Sequence, residues 1–171
     1  MLDGRATPEY SQDASEAAKL ADSKLSREAK RCIELAAEAA RERNDNHVGT
    51  EHLVLGLIGG APDVESALSR VGITRTIFEA QLFDEPGVSP HGSIPLTPRA
   101  LRILGFALEE ASGLRSPTIE PLHLLLGVMD ESEYWRSLRT DGPHHLAQAA
   151  TAAGVTLRDV RNAALAAISP P

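Results

Sequence analysis

Only one cysteine, Cys32, occurs in the 171 residues, so no intrachain disulfide can form and a disulfide-stapled scaffold is excluded. Aromatic residues are almost as scarce, at 4% of the chain. That shortage, beside abundant alanine and leucine, favours close-packed helices over the aromatic and β-branched composition of sheets. No stretch has the apolar length of a signal-peptide core or of a membrane span, so a cytoplasmic location is expected and no membrane partner. Clustered basic charge is missing too. Lys and Arg number 17 against 24 Asp and Glu, for a net charge of −7. Phosphate neutralisation needs the opposite balance, so no nucleic-acid partner is expected.

Catalytic motifs are equally absent. The chain contains no G-x-x-x-x-G-K-[ST] phosphate loop, no G-x-S-x-G elbow and no H-E-x-x-H pair. No cofactor, no metal and no catalytic residue is expected. His52 and His123 lack a second ligand at i+4, and the adjacent His144 and His145 point in different directions on a helix. His52 and His123 read as structural, and no metal site is expected at His144-His145. Cys32 falls on the apolar side of its helix and reads as a small core residue.

What is present is helical. Residues 1–24 mix small, charged and turn-forming types and read as a tail, flexible or weakly helical. From Ser26, which suits an N-cap, Ala29, Ile33, Ala36, Ala37 and Ala40 recur at helical spacing. Asn44, Asp45 and Asn46 break this first helix. A short apolar helix follows from about Thr50 to Gly59-Gly60, a third opens at Pro62-Asp63 and ends near Gly72, and Thr74 caps a fourth running to about Asp84. Residues 85–95, EPGVSPHGSIP, carry three prolines and two glycines and form an extended linker.

A shift of 71 residues superposes the chain on itself. Leu25, Ser26, Ala29 and Arg31 meet Leu96, Thr97, Ala100 and Arg102; His52, Leu53, Leu55 and Gly56 meet His123, Leu124, Leu126 and Gly127. Gly72-Ile73-Thr74 then corresponds to Gly154-Val155-Thr156 at an offset of 82, which places an eleven-residue insertion near 131–143 in the second copy. That insertion holds Tyr134 and the only tryptophan, Trp135, and reads as a longer surface segment replacing a tight turn. The expectation is an all-α protein of two tandem four-helix repeats, residues 25–84 and 96–168, making one domain over 25–168.

The segments V48-G-T-E-H-L-V-L-G-L57 and I94-P-L-T-P-R-A100 resemble the hallmark stretches of the Clp repeat, the N-terminal domain of Clp-family AAA+ unfoldases, particularly the ClpC type. The resemblance spans roughly residues 24–168. It implies about eight helices in two pseudo-twofold-related repeats, and a module that receives adaptors and substrates for an ATPase ring. With no phosphate loop in this chain, it implies a stand-alone N-domain rather than an unfoldase, partnered by proteins or peptides and by a Clp ATPase or adaptor. An accessory component of a Clp protease, with hydrolase activity only through its partner, is the alternative.

The resemblance also implies a ligand. In ClpC-type domains a repeat can hold a phosphorylated arginine, the glutamate of G-T-E-H taking the guanidinium and the hydroxyl residue that opens the first helix taking the phosphate. Both demands are physically sensible, since a helix N-terminus favours an anion and a carboxylate matches the guanidinium fork. Carried over, the first repeat supplies Ser26 and Glu51, with Gly49 and Thr50 shaping the turn. In the second repeat Thr97 is kept, but Leu122 stands at the glutamate's position, and Glu120, two residues earlier, is a poor substitute. The second copy is expected to be impaired. N-capping alone accounts for Ser26 and Thr97, and Arg99 and Arg102 read as solvated charges on a helix face.

Overall fold

The structure, a computed structural model, describes residues 8–82, 92–138 and 144–168, with side chains from residue 16 onward. All regular structure among these is helical. The first repeat consists of α2 (Arg27–Glu42), α3 (Thr50–Gly60), α4 (Pro62–Arg70) and α5 (Arg75–Glu79). The second consists of α6 (Pro98–Gly113), α7 (Pro121–Ser137), α8 (His145–Ala152) and α9 (Leu157–Ile168). A further helix, α1 (Pro8–Lys24), precedes both.

The starts of α2 and α6 are set by equivalent caps. Ser26 and Thr97 are both extended, and their hydroxyls accept from Ala29 N–H and Ala100 N–H, each at 3.1 Å. Both helices end in the same way, with a left-handed residue, Asn44 (φ 58°) or Arg115 (φ 56°), that lets the next N–H reach back to Ala40 O or Ala111 O. The chain then reverses, and α3 packs antiparallel on α2 as α7 packs on α6. Each hairpin depends on a glycine at its closest approach. A Cβ on Gly56 would lie 2.7 Å from Ala36 N, and one on Gly127 would lie 2.7 Å from Ile103 O. Around these crossings Val54, Leu57, Leu68, Phe78, Ile103, Leu124, Leu125 and Leu126 form one continuous core. Cys32 lies in it, where burial and the nearby Asp63 push its thiol up to about 11.

Three elements differ from expectation. The segment up to Lys24, read as a flexible or weakly helical tail, contains α1, and that helix is packed in place, with Ala18 and Ala21 buried against α6. Ala17 lies 3.6 Å from where a Cβ on Gly105 would be, and the matching position in the first repeat is the exposed Glu34. Small residues on both sides permit close approach of the backbones, so the buried face of α1 is made of alanines while its one leucine, Leu20, is exposed. The fourth helix, expected to run to about Asp84, closes at Glu79 because Gln81 and Leu82 tighten into i−3 turns on Phe78 O and Glu79 O. Residues 83 and 84, and most of the 85–95 linker, lie outside the described residues. The insertion, expected as a surface segment, begins as a continuation of α7, which runs 17 residues against 11 for α3. Its Tyr134 and Trp135 cover Arg102, whose guanidinium carbon sits 4.7 Å and 5.2 Å from the two ring centres, so Arg102 is not simply solvated.

Candidate functional site

The two repeats are joined by backbone at the helix entrances. Val48 N–H donates to Pro95 O at 2.8 Å and Thr97 N–H donates to Val48 O at 3.0 Å. On the other side, Ser26 N–H donates to Ile119 O at 3.0 Å and Ile119 N–H to Lys24 O at 2.8 Å. These are short parallel bridges, Val48 with Leu96 and Leu25 with Ile119. The entrance of α6 therefore lies beside the entrance of α3, and that of α2 beside that of α7.

This exchange corrects the expected pairing. Ser26 and Glu51 belong to one repeat, but they sit at opposite ends of the α2–α3 hairpin. Cys32 and Leu35 pack against Gly60 at the far end of α3, while the turn into α3 is tied to Ala40 through Asp45 N–H. Fourteen residues of helix separate Ser26 from Ala40, about 20 Å at the helical rise. One arginine side chain cannot bridge that distance. Thr97 is instead the capping hydroxyl next to Gly49, Thr50 and Glu51, and Ser26 is the one next to Glu120. The length of α6 likewise separates Thr97 from Glu120 within the second repeat.

At the Glu51–Thr97 junction, the carboxylate of Glu51 is folded over the start of its own helix. Its side chain is 28% exposed, and Thr50 Oγ1 lies 3.4 Å from Oε2. A Cβ on Gly49 would fall 2.7 Å from the carboxyl carbon, so the bare glycine leaves room for this position. His52 locks the turn beneath it. Gly49 N–H donates to His52 Nδ1 at 2.9 Å, which leaves Nε2 as the protonated nitrogen, donating to Asp45 Oδ2 at 2.9 Å.

Opposite Glu51 stands Arg99. Its guanidinium makes a two-pronged contact with Glu131, Nε to Oε1 at 2.5 Å and Nη2 to Oε2 at 3.0 Å. Glu131 is fully buried while Arg99 keeps 26% of its side chain exposed, so the pair fixes the arginine with one edge toward the hollow. Arg99 is thus held in place rather than solvated. Ser132, His144 and His145 complete the rim over an apolar floor that includes Phe78 and Leu146, and the hollow measures about 10 Å³, room for one water. Burial, and then the Arg99 charge, hold His144 below the ordinary histidine range. His145 Nδ1 meets Gln81 O at 3.2 Å.

The junction at Ser26 differs. Leu122 occupies the position of Glu51 and is buried. Glu120 points elsewhere, its Oε1 accepting from Thr118 Oγ1 at 2.6 Å and its N–H donating to His123 Nδ1 at 2.9 Å. So the sequence singled out Gly49, Thr50, Glu51, Thr97, Ser26 and Glu120, and the fold groups the first four together. Sequence reasoning did not assign Arg99, Ser132, His144 or His145 to a site. Glu131, which orients Arg99, lies in the insertion and has no counterpart in the first repeat to signal it.

Chemically, the Glu51–Thr97 junction presents a carboxylate, a fixed guanidinium and a helix entrance within one small area. Such an arrangement suits a ligand carrying both a cationic and an anionic group. No group of three His, Cys, Asp or Glu side chains able to hold a metal ion occurs among the described residues. No helix among them is long and apolar enough to cross a membrane.

Two helical repeats that exchange their capped entrances define a duplicated all-helical domain. The family model for the Clp repeat (R) N-terminal domain matches residues 7–71 and 24–141, and the chain belongs to that family. It is 38% identical over 117 residues to the ClpA-homolog ATP-binding subunit of the ATP-dependent Clp protease of Cyanidium caldarium, a match covering 64% of this chain and 13% of that protein. It is 42% identical over 108 residues to the chloroplastic chaperone protein ClpC1 of Arabidopsis thaliana, covering 59% of this chain and 11% of that protein. The chain thus corresponds to about an eighth of the curated relatives it matches. Among solved structures, the N-terminal domain of the ClpD chaperone from Arabidopsis thaliana superposes with a TM-score of 0.64 at 20% identity, covering 85% of this chain and 95% of that one. The Hsp104 N-terminal domain from Candida albicans gives the same TM-score at 16% identity, covering 83% and 89%. At those identities the likeness is one of fold.

Proposed function

We propose that this Clp repeat domain is a non-catalytic, cytoplasmic receptor for protein substrates or adaptors. In this reading it takes arginine-phosphorylated segments at the Glu51–Thr97 junction and acts on a Clp protease system through a Clp ATPase or adaptor. The repeats, residues 25–84 and 96–168 linked by 85–95, work as one receptor with a single competent site. The observation that carries the reading is the Val48–Leu96 bridge, which brings the retained glutamate of one repeat against the retained threonine cap of the other. Glu51 pairs with the guanidinium, while the α6 entrance and Arg99 receive the phosphate. The hollow is smaller than the ligand, so binding requires the Glu51 side chain to unfold from its helix entrance and the His144–His145 corner to give way.

Free phosphoarginine titrated into the protein by calorimetry tests this. Binding should weaken at least tenfold in Glu51→Gln and in Thr97→Val, and should be unchanged in Ser26→Ala. Absence of binding, or binding insensitive to Glu51→Gln, rejects the phosphoarginine reading. Sensitivity to Ser26→Ala in place of Thr97→Val would restore the within-repeat pairing.

A further inference from the structure

The duplication also exposes a difference on the other side of the α7 entrance. In the first repeat, His52 Nε2–H is satisfied by Asp45. In the second, the residue equivalent to Asp45 is Ser116, whose hydroxyl donates to Thr118 O at 2.7 Å and turns away from the histidine. His123 is 2% exposed, its Nδ1 is committed to Glu120 N–H, and its Nε2 has no hydrogen-bond partner among the described residues. A buried donor left in this state is costly unless something supplies an acceptor.

His123 lines a cleft of about 310 Å³, with Nε2 buried behind its wall. Leu114 and Ser116, which line it, stand where the first repeat has Arg43 and Asp45. Its remaining walls are Leu122 and Ile168 on the apolar side and the carboxylates of Glu120 and Asp63 on the polar side. No Lys or Arg lines it among the described residues. An anionic substitute for Asp45 would meet those two carboxylates, so the site favours an uncharged acceptor with a cation beside it.

We propose that this cleft binds an unmodified basic peptide segment. One backbone carbonyl of the peptide accepts from His123 Nε2–H, an arginine or lysine side chain lies beside Glu120 and Asp63, and an apolar neighbour packs on Leu114, Leu122 and Ile168. The volume fits a few side chains rather than a whole domain, and the net charge of −7 draws basic segments toward the molecule. The site is separate from the Glu51 hollow and does not depend on a phosphate being recognised there.

The test uses the full chain and two peptides, Ac-Leu-Arg-Leu-NH2 and Ac-Leu-Glu-Leu-NH2, followed by the imidazole and Ile168 methyl resonances in NMR. The arginine peptide should shift both sets of signals saturably, and the glutamate peptide should bind at least tenfold more weakly. Ser116→Asp, which restores the internal partner found in the first repeat, should reduce arginine-peptide binding at least tenfold. Should Ser116→Asp fail to fold, Ile168→Arg places a competing cation in the cleft and should have the same effect. Glu51→Gln should leave the binding unchanged, which separates this site from the phosphoarginine reading. No saturable shift at millimolar peptide, equal binding of the glutamate peptide, or binding unaffected by the folded variants overturns the proposal.

Discussion

Arg115 occupies a backbone conformation that its partner in the first repeat fills with a better-suited residue. Both Arg115 and Asn44 end a long helix with positive φ, 56° and 58°. Asparagine and glycine adopt this region readily, whereas other residues pay about 1–2 kcal/mol for the approach of Cβ to the carbonyl oxygen. The side chain of Arg115 is exposed, so truncating it removes little packing. Arg115→Gly recovers that strain and gives back roughly 0.4–1 kcal/mol through the freer unfolded chain, for a net stabilisation of about 0.5–1 kcal/mol. For a chain of this size this corresponds to a rise in Tm of about 1–4 °C. Arg115→Asn should recover about half as much, and Asn44→Arg should lower Tm by a similar amount. Calorimetric melts of the three variants against the parent provide the assay. If Arg115→Gly melts at or below the parent temperature while Asn44→Arg is neutral, the strain assigned to this turn does not exist.

Two further outcomes follow from the packing and the charges. Gly56→Ala and Gly127→Ala each force a Cβ into backbone of the facing helix and should cost about 1–3 kcal/mol in urea titrations, whereas Gly113→Ala, in open space on a helix, should gain about 0.5–1 kcal/mol. Asp130 supplies the pH dependence: burial, then the hydrogen bond and charge of Glu110, push its carboxyl up to about 7, against the opposing pull of Arg161. A carboxyl raised in the folded state contributes stability that is complete below its unfolded value near 4 and disappears as the pH rises through about 7. The urea midpoint should therefore fall between pH 4 and 8, and Asp130→Asn should flatten that fall.

Most of the fold was legible because the signals are local and doubled. The caps at Ser26 and Thr97, the Asn44 break and the Gly56 and Gly127 crossings each act within a turn or two, and the repeat presents each of them twice. What was not legible rests on contacts without a sequence period. Helix α1 is held by alanines against Gly105, so no strong apolar stripe marks it. The extension of α7 is fixed by Tyr134 and Trp135 on Arg102 and by Glu131 under Arg99, and the first repeat holds no copy of these for comparison. Of the site, the residue types could be read from the motif, but their grouping could not. A repeat detected in sequence suggests that each copy carries its own site, whereas the bridges at Val48 and Ile119 are formed between copies.

That exchange has a consequence for how the two sites can diverge. Each junction takes its capping hydroxyl from one repeat and its α3-type or α7-type entrance from the other, so a change in one repeat damages one junction and leaves the other whole. Replacement of the glutamate by Leu122 affects only the Ser26 junction, and the Glu51–Thr97 junction keeps its full set although it draws on both repeats. The same independence operates beneath the α7 entrance. With Asp45 in place, His52 is internally satisfied; with Ser116 in its place, His123 borders a cleft while its bond to Glu120 N–H matches that of His52 to Gly49 N–H. Duplication thus lets one entrance remain rigid enough to carry the Glu51 junction while its counterpart is released from that role, and the unpaired histidine nitrogen is where that release can be measured.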